Sequence, residues 1–292
     1  MMDATELLKK VRRIEIRTRH VVNEALAGQY HTVFRGRGME FEEVRPYQLG
    51  DDVRTIDWNV SARFGEPFVK VFREERELTV MLMVDLSRSQ WVGTRGQMKR
   101  ELTAELGAML AFSAITNNDK VGLLGFTDEV EKVVPARKGK SHVLRVVREL
   151  LAYESKGIAT DVGEALMYLH RVMRRKCVVF IISDFQCGDF LKELRLARRR
   201  HDVILVNVTD PVELAMPAVG LVRLRDNETG HVALVDTSSK RWRAKYAQHS
   251  AERQRRLERI ARQAKADCVE IKTGEDFVIP LEKFFRAREG RR

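Results

Sequence analysis

Cysteine is scarce in this sequence. Three cysteines occur among 292 residues, and Cys177, Cys187 and Cys268 lie far apart in the chain without C-x-x-C spacing. The count excludes a disulfide-stabilised scaffold, and the spacing excludes a cysteine-based zinc site and a thioredoxin-like motif. A sparse, odd number of cysteines is typical of proteins in a reducing compartment.

Long apolar segments are also missing. A membrane-spanning helix needs a run of about 18 or more apolar residues, and the sequence contains no such run. The N-terminal stretch alternates Leu7, Leu8, Val11 and Ile14 with lysines and arginines, which is unlike the apolar centre of a signal peptide. These features predict a soluble, cytoplasmic protein without a membrane span.

Aromatic residues make up 7% of the chain, and the sequence contains no Walker A motif, zinc finger or helix-turn-helix pattern. Positive charge, in contrast, is abundant: 53 Lys and Arg stand against 42 Asp and Glu, which gives a net charge of +11. The basic residues cluster in the predicted helical stretches 171–176, 195–200 and 253–262. Most of these side chains are expected to form solvated helix faces that favour acidic partners. No specific nucleic-acid recognition is predicted, and non-specific binding through the basic helices stays open as a second alternative function.

From residue 77 onward, apolar runs alternate with amphipathic patterns, which is typical of βαβ units and a mostly parallel sheet. The runs predict strands at 78–84, 120–126, 129–134, 177–182, 203–208 and near 267–271. The periodic segments predict helices at 97–117, 140–152, 162–174, 189–200, 239–265 and 276–286. Two hairpins are also predicted: 120–134, which gives the sheet an antiparallel edge, and a second one that pairs 221–224 with 231–235.

The first 76 residues have a different character. Residues 1–26 predict a helix with an apolar stripe, and glycines and prolines then break the chain into short segments, among them a strand near 67–72. The predicted organisation is therefore an irregular, β-leaning N-terminal subdomain at 1–76 and an α/β domain at 77–292, with a hairpin insertion at about 211–237.

Oxygen-bearing side chains follow two of the apolar runs and precede one helix. Asp85, Ser87 and Ser89 alternate directly after the first run, Asp184 follows the run at 177–183, and Thr160 precedes the helix predicted from 162. Ligands of open parallel sheets bind outside the carboxyl ends of the strands, so these side chains are expected to converge there. Carboxylate and hydroxyl oxygens suit a hard divalent cation, although Asp and Ser are also common turn and N-cap residues.

This order of residues resembles the von Willebrand factor A-like fold with its metal-ion-dependent adhesion site. In that family the pattern D-x-S-x-S is completed by a threonine from a second loop and an aspartate from a third. The resemblance implies a doubly wound, Rossmann-type α/β fold. It also implies a metal site formed by Asp85, Ser87, Ser89, Thr160 and Asp184. One departure is the Gly157-Ile158-Ala159 loop before the threonine, where the family pattern has a tighter pair of glycines.

A second resemblance concerns residues 34–63, which include Gly36-Arg37-Gly38, Arg45-Pro46-Tyr47 and Gly50-Asp51-Asp52. This block is similar to the signature of the bacterial von Willebrand A-like proteins of the family domain of unknown function 58. The similarity implies an association with a MoxR-type AAA+ ATPase. Some members carry membrane helices ahead of the block, and we expect none here because the block begins so early. The charges of the block predict a structural ion-pair network around Tyr47 and Trp58, with a docking face as the alternative.

The residues and the two resemblances together predict a non-enzymatic, metal-dependent adaptor. Mg²⁺ is the expected cofactor, with Mn²⁺ or Ca²⁺ as substitutes, because a site of five side chains that keeps some waters suits an octahedral ion. An open coordination position would capture an acidic side chain of a protein partner, either a MoxR-type AAA+ ATPase or its client. The alternative is a metal-dependent hydrolase or phosphatase, for which a Ser87 nucleophile would need a positioned base that no motif marks.

Overall fold

The computed structural model describes residues 11–16, 30, 33, 39–74, 77–94, 96–225 and 230–291. The strands are β1 (Met39–Pro46), β2 (Phe68–Glu74), β3 (Thr79–Asp85), β4 (Lys120–Phe126), β5 (Val130–Arg137), β6 (Val178–Ser183), β7 (Asp202–Thr209), β8 (Leu221–Arg225), β9 (Val232–Asp236) and β10 (Asp267–Lys272). The helices are α1 (Trp58–Phe64), α2 (Lys99–Thr116), α3 (Lys140–Ala152), α4 (Val162–Val172), α5 (Leu191–Arg200), α6 (Pro211–Leu214), α7 (Lys240–Ala264) and α8 (Val278–Glu289).

Six strands form one sheet in the order β10-β7-β6-β3-β4-β5. All neighbours are parallel except β4 and β5, which form the predicted antiparallel hairpin at the sheet edge. The chain continues from β3 to β4 on one side and later returns to β6 on the other side. Strand order therefore reverses at the β3–β6 pair, which is where open α/β sheets bind ligands.

Helices cover both faces of this sheet. On one face, alternate residues of β3, β6 and β7 pack against α4, α5 and α7. On the other face, Leu82 lies beneath α2 and α3, which approach each other closely because Gly107 has no side chain: a Cβ there would lie 2.9 Å from Leu150 Cδ1. Strands covered on both faces are apolar at nearly every position, as predicted for β3, β6 and β7. The predicted doubly wound, mostly parallel α/β fold is confirmed.

The described residues between 39 and 78 form a separate compact unit. In it β1 and β2 pair antiparallel, with an irregularity between Phe41 and Glu43 that shifts the register. The sequence did not predict α1, whose seven residues are too few to show a clear period. Asp57 caps this helix by accepting hydrogen bonds from the N–H groups of Asn59 and Val60, and Gly65 ends it with φ 78°.

Two ion pairs involve residues of the described part of the signature block. Arg45 donates two hydrogen bonds of 2.7 Å to the Asp51 carboxylate, and Lys70 lies 3.3 Å from Asp57. The Arg45 bonds lower the pKa of Asp51. Trp58 is 70% exposed. The predicted structural ion-pair network around Tyr47 and Trp58 stays a prediction, as does the docking face that is its alternative.

The larger unit contains the described residues from 79 to 291, and residues 11–16, 30 and 33 group with it. Val11 and Ile14 are buried, and the ring of Tyr30 meets Phe285 edge-on with 6.4 Å between centroids. The predicted division into domains at 1–76 and 77–292 stays a prediction. The predicted helix at 1–26 lies outside the described residues except for the helical residues 11–16, as do residues 34–38 of the signature block.

The predicted insertion after β7 consists of α6 followed by the β8–β9 hairpin, in which Leu221 pairs with Asp236. The turn residues 226–229 lie outside the described part. No helix in the described part of the chain combines the length and the apolar character that crossing a membrane requires.

Candidate metal centre

The Asp85 carboxylate is the centre of the candidate site. Asp85 is the last residue of β3 and is 1% exposed. Ser183 donates from Oγ to Asp85 Oδ2 at 2.6 Å, and Thr160 Oγ1 lies 3.3 Å from the same oxygen. The backbone N–H of Ser87 donates to Oδ1 at 2.9 Å. Residues from three separate chain segments therefore meet at this carboxylate.

Two serine hydroxyls continue the cluster. The Ser87 hydroxyl lies within hydrogen-bonding reach of Asp85, and its Oγ is 2.9 Å from Oγ of Ser89. A short helical turn, Arg88–Trp91, follows Ser87 and buries Ser89. The structure thus brings the three residues of the D-x-S-x-S pattern together at the end of β3.

Thr160 reaches the site because its loop is bound to the β4–β5 hairpin. The Glu131 carboxylate accepts a hydrogen bond from the N–H of Gly157 at 2.9 Å, and the N–H of Asp161 donates to the Thr127 carbonyl at 2.8 Å. A Cβ on Gly157 would lie 2.2 Å from Thr127 Oγ1, so only glycine allows this close approach. The loop that departs from the family pattern still places the threonine hydroxyl beside the carboxylate at the end of β3.

Asp184 is buried at the end of β6, and a strained turn holds it in place. Phe185 follows with φ 52°, a left-handed conformation that is rare for a bulky side chain. Its N–H donates to Ser183 Oγ at 3.0 Å, and its ring stacks on Phe190 with 5.8 Å between centroids. The turn leaves Asp184 close enough to Asp85 for the two charges to repel each other.

A buried lysine, Lys99, contacts Asp184 directly. Its ammonium donates to Asp184 Oδ2 at 2.6 Å and to Glu213 Oε1 at 2.7 Å, and the Lys99 side chain has no exposed surface. Gln186 Nε2 donates to the same Glu213 oxygen at 3.2 Å. Burial alone would lower the pKa of Lys99, but the two carboxylates outweigh it and raise the pKa. Lys99 is therefore a permanent cation inside the site.

Asp85 is the carboxylate whose negative charge is compensated least by its surroundings. Burial raises its pKa to about 6, and the negative charge of Asp184 adds to the increase. Hydrogen bonds from Ser183 and Ser87 act in the opposite direction without cancelling it. A group whose ionised form is disfavoured in this way has a reason to bind a cation.

The chemistry of the donor set fits a hard divalent cation. Two carboxylates and three hydroxyls offer oxygen ligands only, which is what Mg²⁺ and Ca²⁺ prefer. Within the described ranges, no group of three or more His, Cys, Asp or Glu side chains is arranged to hold a metal. A cation at this position would therefore depend on the serine and threonine hydroxyls as much as on the acids.

Sequence reasoning missed four residues of this site: Ser183, Gln186, Lys99 and Glu213. Lys99 lies 85 residues from Asp184 and 114 residues from Glu213 in the chain, so no local pattern links them. A usable signal existed only for Ser183, which ends the apolar run of β6 directly before Asp184.

Comparison with known proteins identifies the family. The family model described as protein of unknown function DUF58 matches residues 43–256, which is most of the chain. This chain is a member of the DUF58 family. The predicted membership of the DUF58 family is therefore confirmed.

Two relatives of this DUF58 chain are informative. An uncharacterized protein of Mycobacterium tuberculosis is 30% identical over 292 residues, which cover 98% of this chain and 91% of the relative. A protein of Paracoccus denitrificans, described as an uncharacterized protein in the moxR 3' region, is 35% identical over 104 residues, covering 35% of this chain and 98% of that protein.

Solved structures with a similar fold include BatB from Bacteroides thetaiotaomicron, at 18% identity and a TM-score of 0.50, and an aerotolerance-related membrane protein from Bacteroides fragilis, at 17% identity and a TM-score of 0.50. Each match covers 74% of the DUF58 chain and 100% of the other chain. The SpRpn10 VWA domain matches at 11% identity and a TM-score of 0.40, over 69% of this chain and 91% of that one.

The structural matches contradict the predicted cytoplasmic location, because one of them is described as a membrane protein. We therefore withdraw that prediction. It relied on the lack of a long apolar run and of a signal peptide, and these features do not decide whether a protein of this fold works at a membrane.

Proposed function

We propose that this DUF58 chain is a non-enzymatic, metal-dependent module that binds another protein. Asp85, Ser87, Ser89, Thr160 and Asp184 would hold the cation, and Mg²⁺ is the ion that we propose, because a site of five side chains that keeps some waters suits an octahedral cation. The bound cation would supply an open coordination position for a carboxylate of the partner.

The observation that carries this proposal is the charge of the cluster around Lys99, in which Asp85 and Asp184 are buried and Glu213 is partly buried. Asp85, Asp184 and Glu213 bring three negative charges, and Lys99 brings one positive charge, so the cluster has a net charge of −2. Buried charge is costly unless it is compensated. A divalent cation would make the cluster neutral, and a monovalent ion would not.

The partner that we propose is a MoxR-type AAA+ ATPase or its client. A relative lies in the moxR 3' region of Paracoccus denitrificans, which supports an association with such an ATPase. The net charge of +11 would attract an acidic partner and speed its approach.

Calorimetric titration tests the metal site. We expect Mg²⁺ to release or absorb heat on binding to the wild type and to give no binding signal with Asp85→Asn, which keeps the shape of the side chain but removes its charge. The matched control is Asp189→Asn, which removes a charge from an exposed position of the loop that follows Asp184. Equal binding by all three proteins would contradict the proposed site.

Partner capture tests the function itself. A MoxR-type ATPase should be retained by the immobilised wild type in Mg²⁺, and it should be released by EDTA and ignored by Asp85→Asn. If the ATPase were retained equally under all conditions, partner binding would not depend on the metal, and the proposed function would be contradicted. A screen for Mg²⁺-dependent hydrolysis of phosphate and acyl esters should give the same background rate for the wild type and Asp85→Asn, whereas a faster wild type would favour the hydrolase alternative.

A further inference from the structure

A cleft of about 400 Å³ opens beside the candidate metal centre. Its lining residues are Arg88, Trp91, Glu154, Ser155 and Arg225. Arg88 lies between the two serines of the site, and Glu154 and Ser155 belong to the loop that leads to Thr160. Two of the three loops that carry candidate ligands therefore form its walls. We call this feature the rim cleft.

Trp91 is the main apolar group of the rim cleft, and it is half exposed. The guanidinium of Arg100 lies over its ring, 4.7 Å from the centroid. Arg100 is itself fixed, because it donates to the carbonyls of Leu151 and Tyr153 at 2.8 and 2.9 Å. The indole is therefore held from one side while half of its surface stays open, an arrangement typical of the aromatic anchors of protein interfaces.

The β8–β9 hairpin extends the rim cleft outward. Arg225 is the last residue of β8 and pairs with Val232 of β9, and the preceding pair on the same face is Arg223 with Leu234. Leu234 and Leu221 are about 70% exposed, and Val232 is 43% exposed. The pair at the far end of this face is Leu221 with the exposed Asp236, and the end nearer the cleft carries Arg223, Arg225, Leu234 and Val232. The half of the hairpin that reaches the cleft is therefore basic and apolar, and exposed apolar groups of this kind mark interaction sites.

We infer that the rim cleft and the outer face of the hairpin bind an acidic segment of a partner protein that also carries an apolar side chain. The apolar side chain would pack on Trp91, and the acids would pair with Arg88 and Arg225, whose charges exceed that of Glu154. The inference deepens the proposed function, and it rests on that function because the same segment would supply the carboxylate for the metal.

The charges of the neighbourhood favour an acidic protein segment over a nucleic acid. Glu154 lines the cleft, and Asp85 lines a cavity that shares Trp91 and Ser155 with it, so a continuous phosphate backbone would meet negative charge along this path. A protein segment can place single carboxylates beside the two arginines and an apolar group on the indole.

Fluorescence anisotropy with a labelled peptide tests the inference. The probe is an acidic peptide with glutamates on both sides of one leucine, measured in Mg²⁺. We expect Trp91→Ala to weaken binding about tenfold, because anchors of this kind dominate affinity, and Trp91→Phe to retain most of it. Arg225→Glu should weaken binding by a similar factor. Arg255→Glu, which makes the same charge change at an exposed position of α7, should stay within about twofold.

Three results would overturn the inference. The wild type could fail to bind the peptide, or Trp91→Ala and the wild type could bind it with equal affinity. The third is that binding of a single-stranded oligothymidine requires Trp91 while binding of the peptide does not. Failure of the proposed function looks different. If Mg²⁺ gave no heat but the peptide still required Trp91 in EDTA, the metal site would fail and the docking surface would stand. If Trp91→Ala bound Mg²⁺ and the peptide normally, the docking surface alone would fail.

Discussion

Lys99 shows how much of the candidate site depends on one residue. Its ammonium is fully buried and bonded to Asp184 and Glu213, so its removal would leave two carboxylates without their counter-ion. We predict that Lys99→Met lowers the free energy of unfolding of the metal-free protein by about 3–5 kcal/mol, as for other broken buried pairs. Urea unfolding measures this loss.

The control for this variant is Lys192→Met, which removes an exposed lysine from α5 and should change stability by less than about 0.5 kcal/mol. Mg²⁺ should also stabilise Lys99→Met more than the wild type, because the added cation replaces part of the missing charge. A loss as small as that of the control would mean that the pairing of Lys99 is not required.

Asp85 makes stability depend on pH. Its pKa is about 6 in the folded, metal-free protein, against about 3.9 for an unperturbed aspartate. The folded state therefore holds the proton more tightly, and the stability that results is present below about pH 4 and lost as pH rises to about 6. The shift of about 2 pH units corresponds to about 3 kcal/mol. Denaturant unfolding of the metal-free wild type should show this loss, and Asp85→Asn should not.

In saturating Mg²⁺, the stability should rise with pH instead of falling. The cation and the proton compete for the same carboxylate, so Mg²⁺ affinity should be about tenfold weaker at pH 5 than at its plateau above pH 6. A metal-free wild type whose stability is flat from pH 4 to 7 would show that Asp85 does not titrate as its surroundings indicate.

At the scale of elements, the loop before α4 is the part most sensitive to a small change. A Cβ at Gly157 would collide with the side chains of Thr127 and Asp128 at 2.2 Å, so Gly157→Ala must displace the loop that carries Thr160. We predict a loss of about 1–3 kcal/mol in stability, as for other overpacked positions, together with weaker Mg²⁺ binding. Thermal unfolding and calorimetry measure the two effects.

Gly188→Ala is the matched control, because nothing lies within 4 Å of a Cβ at that position and it belongs to the loop after Asp184. It should leave both quantities nearly unchanged. If Gly157→Ala behaved like this control, the close approach of the loop to the β4–β5 hairpin would not determine the position of the threonine.

The elements that the sequence predicts well are those with a strong pattern. Strands β3, β6 and β7 are covered on both faces and read as continuous apolar runs, and the long helix α7 shows a clear period. Helix α1 was not predicted, because it has seven residues and only Ser61 among them is buried. The pattern also ended β5 at residue 134, whereas the strand continues to Arg137 on the half-exposed edge of the sheet.

At the scale of the whole molecule, the topology brings together what the sequence separates. The five predicted ligands lie near strand ends or helix starts, and a parallel sheet places such positions at one edge, so their convergence was predictable. The ammonium that neutralises Asp184 was not predictable, because it comes from the start of α2, and Glu213 comes from a capping position of α6. Such contacts depend on how the helices pack and leave no mark in the local sequence.

The proposed function depends on a cation bound where the strand order reverses, and anomalous diffraction from crystals soaked in Mn²⁺ tests this most directly. We predict a single strong peak within about 2.0–2.6 Å of oxygens of Asp85, Ser87 and Ser89, close to Thr160 and Asp184, and no peak there in Asp85→Asn. A wild-type crystal without a peak at this position would contradict the proposal. It would mean that Lys99 alone compensates the charge of the carboxylates.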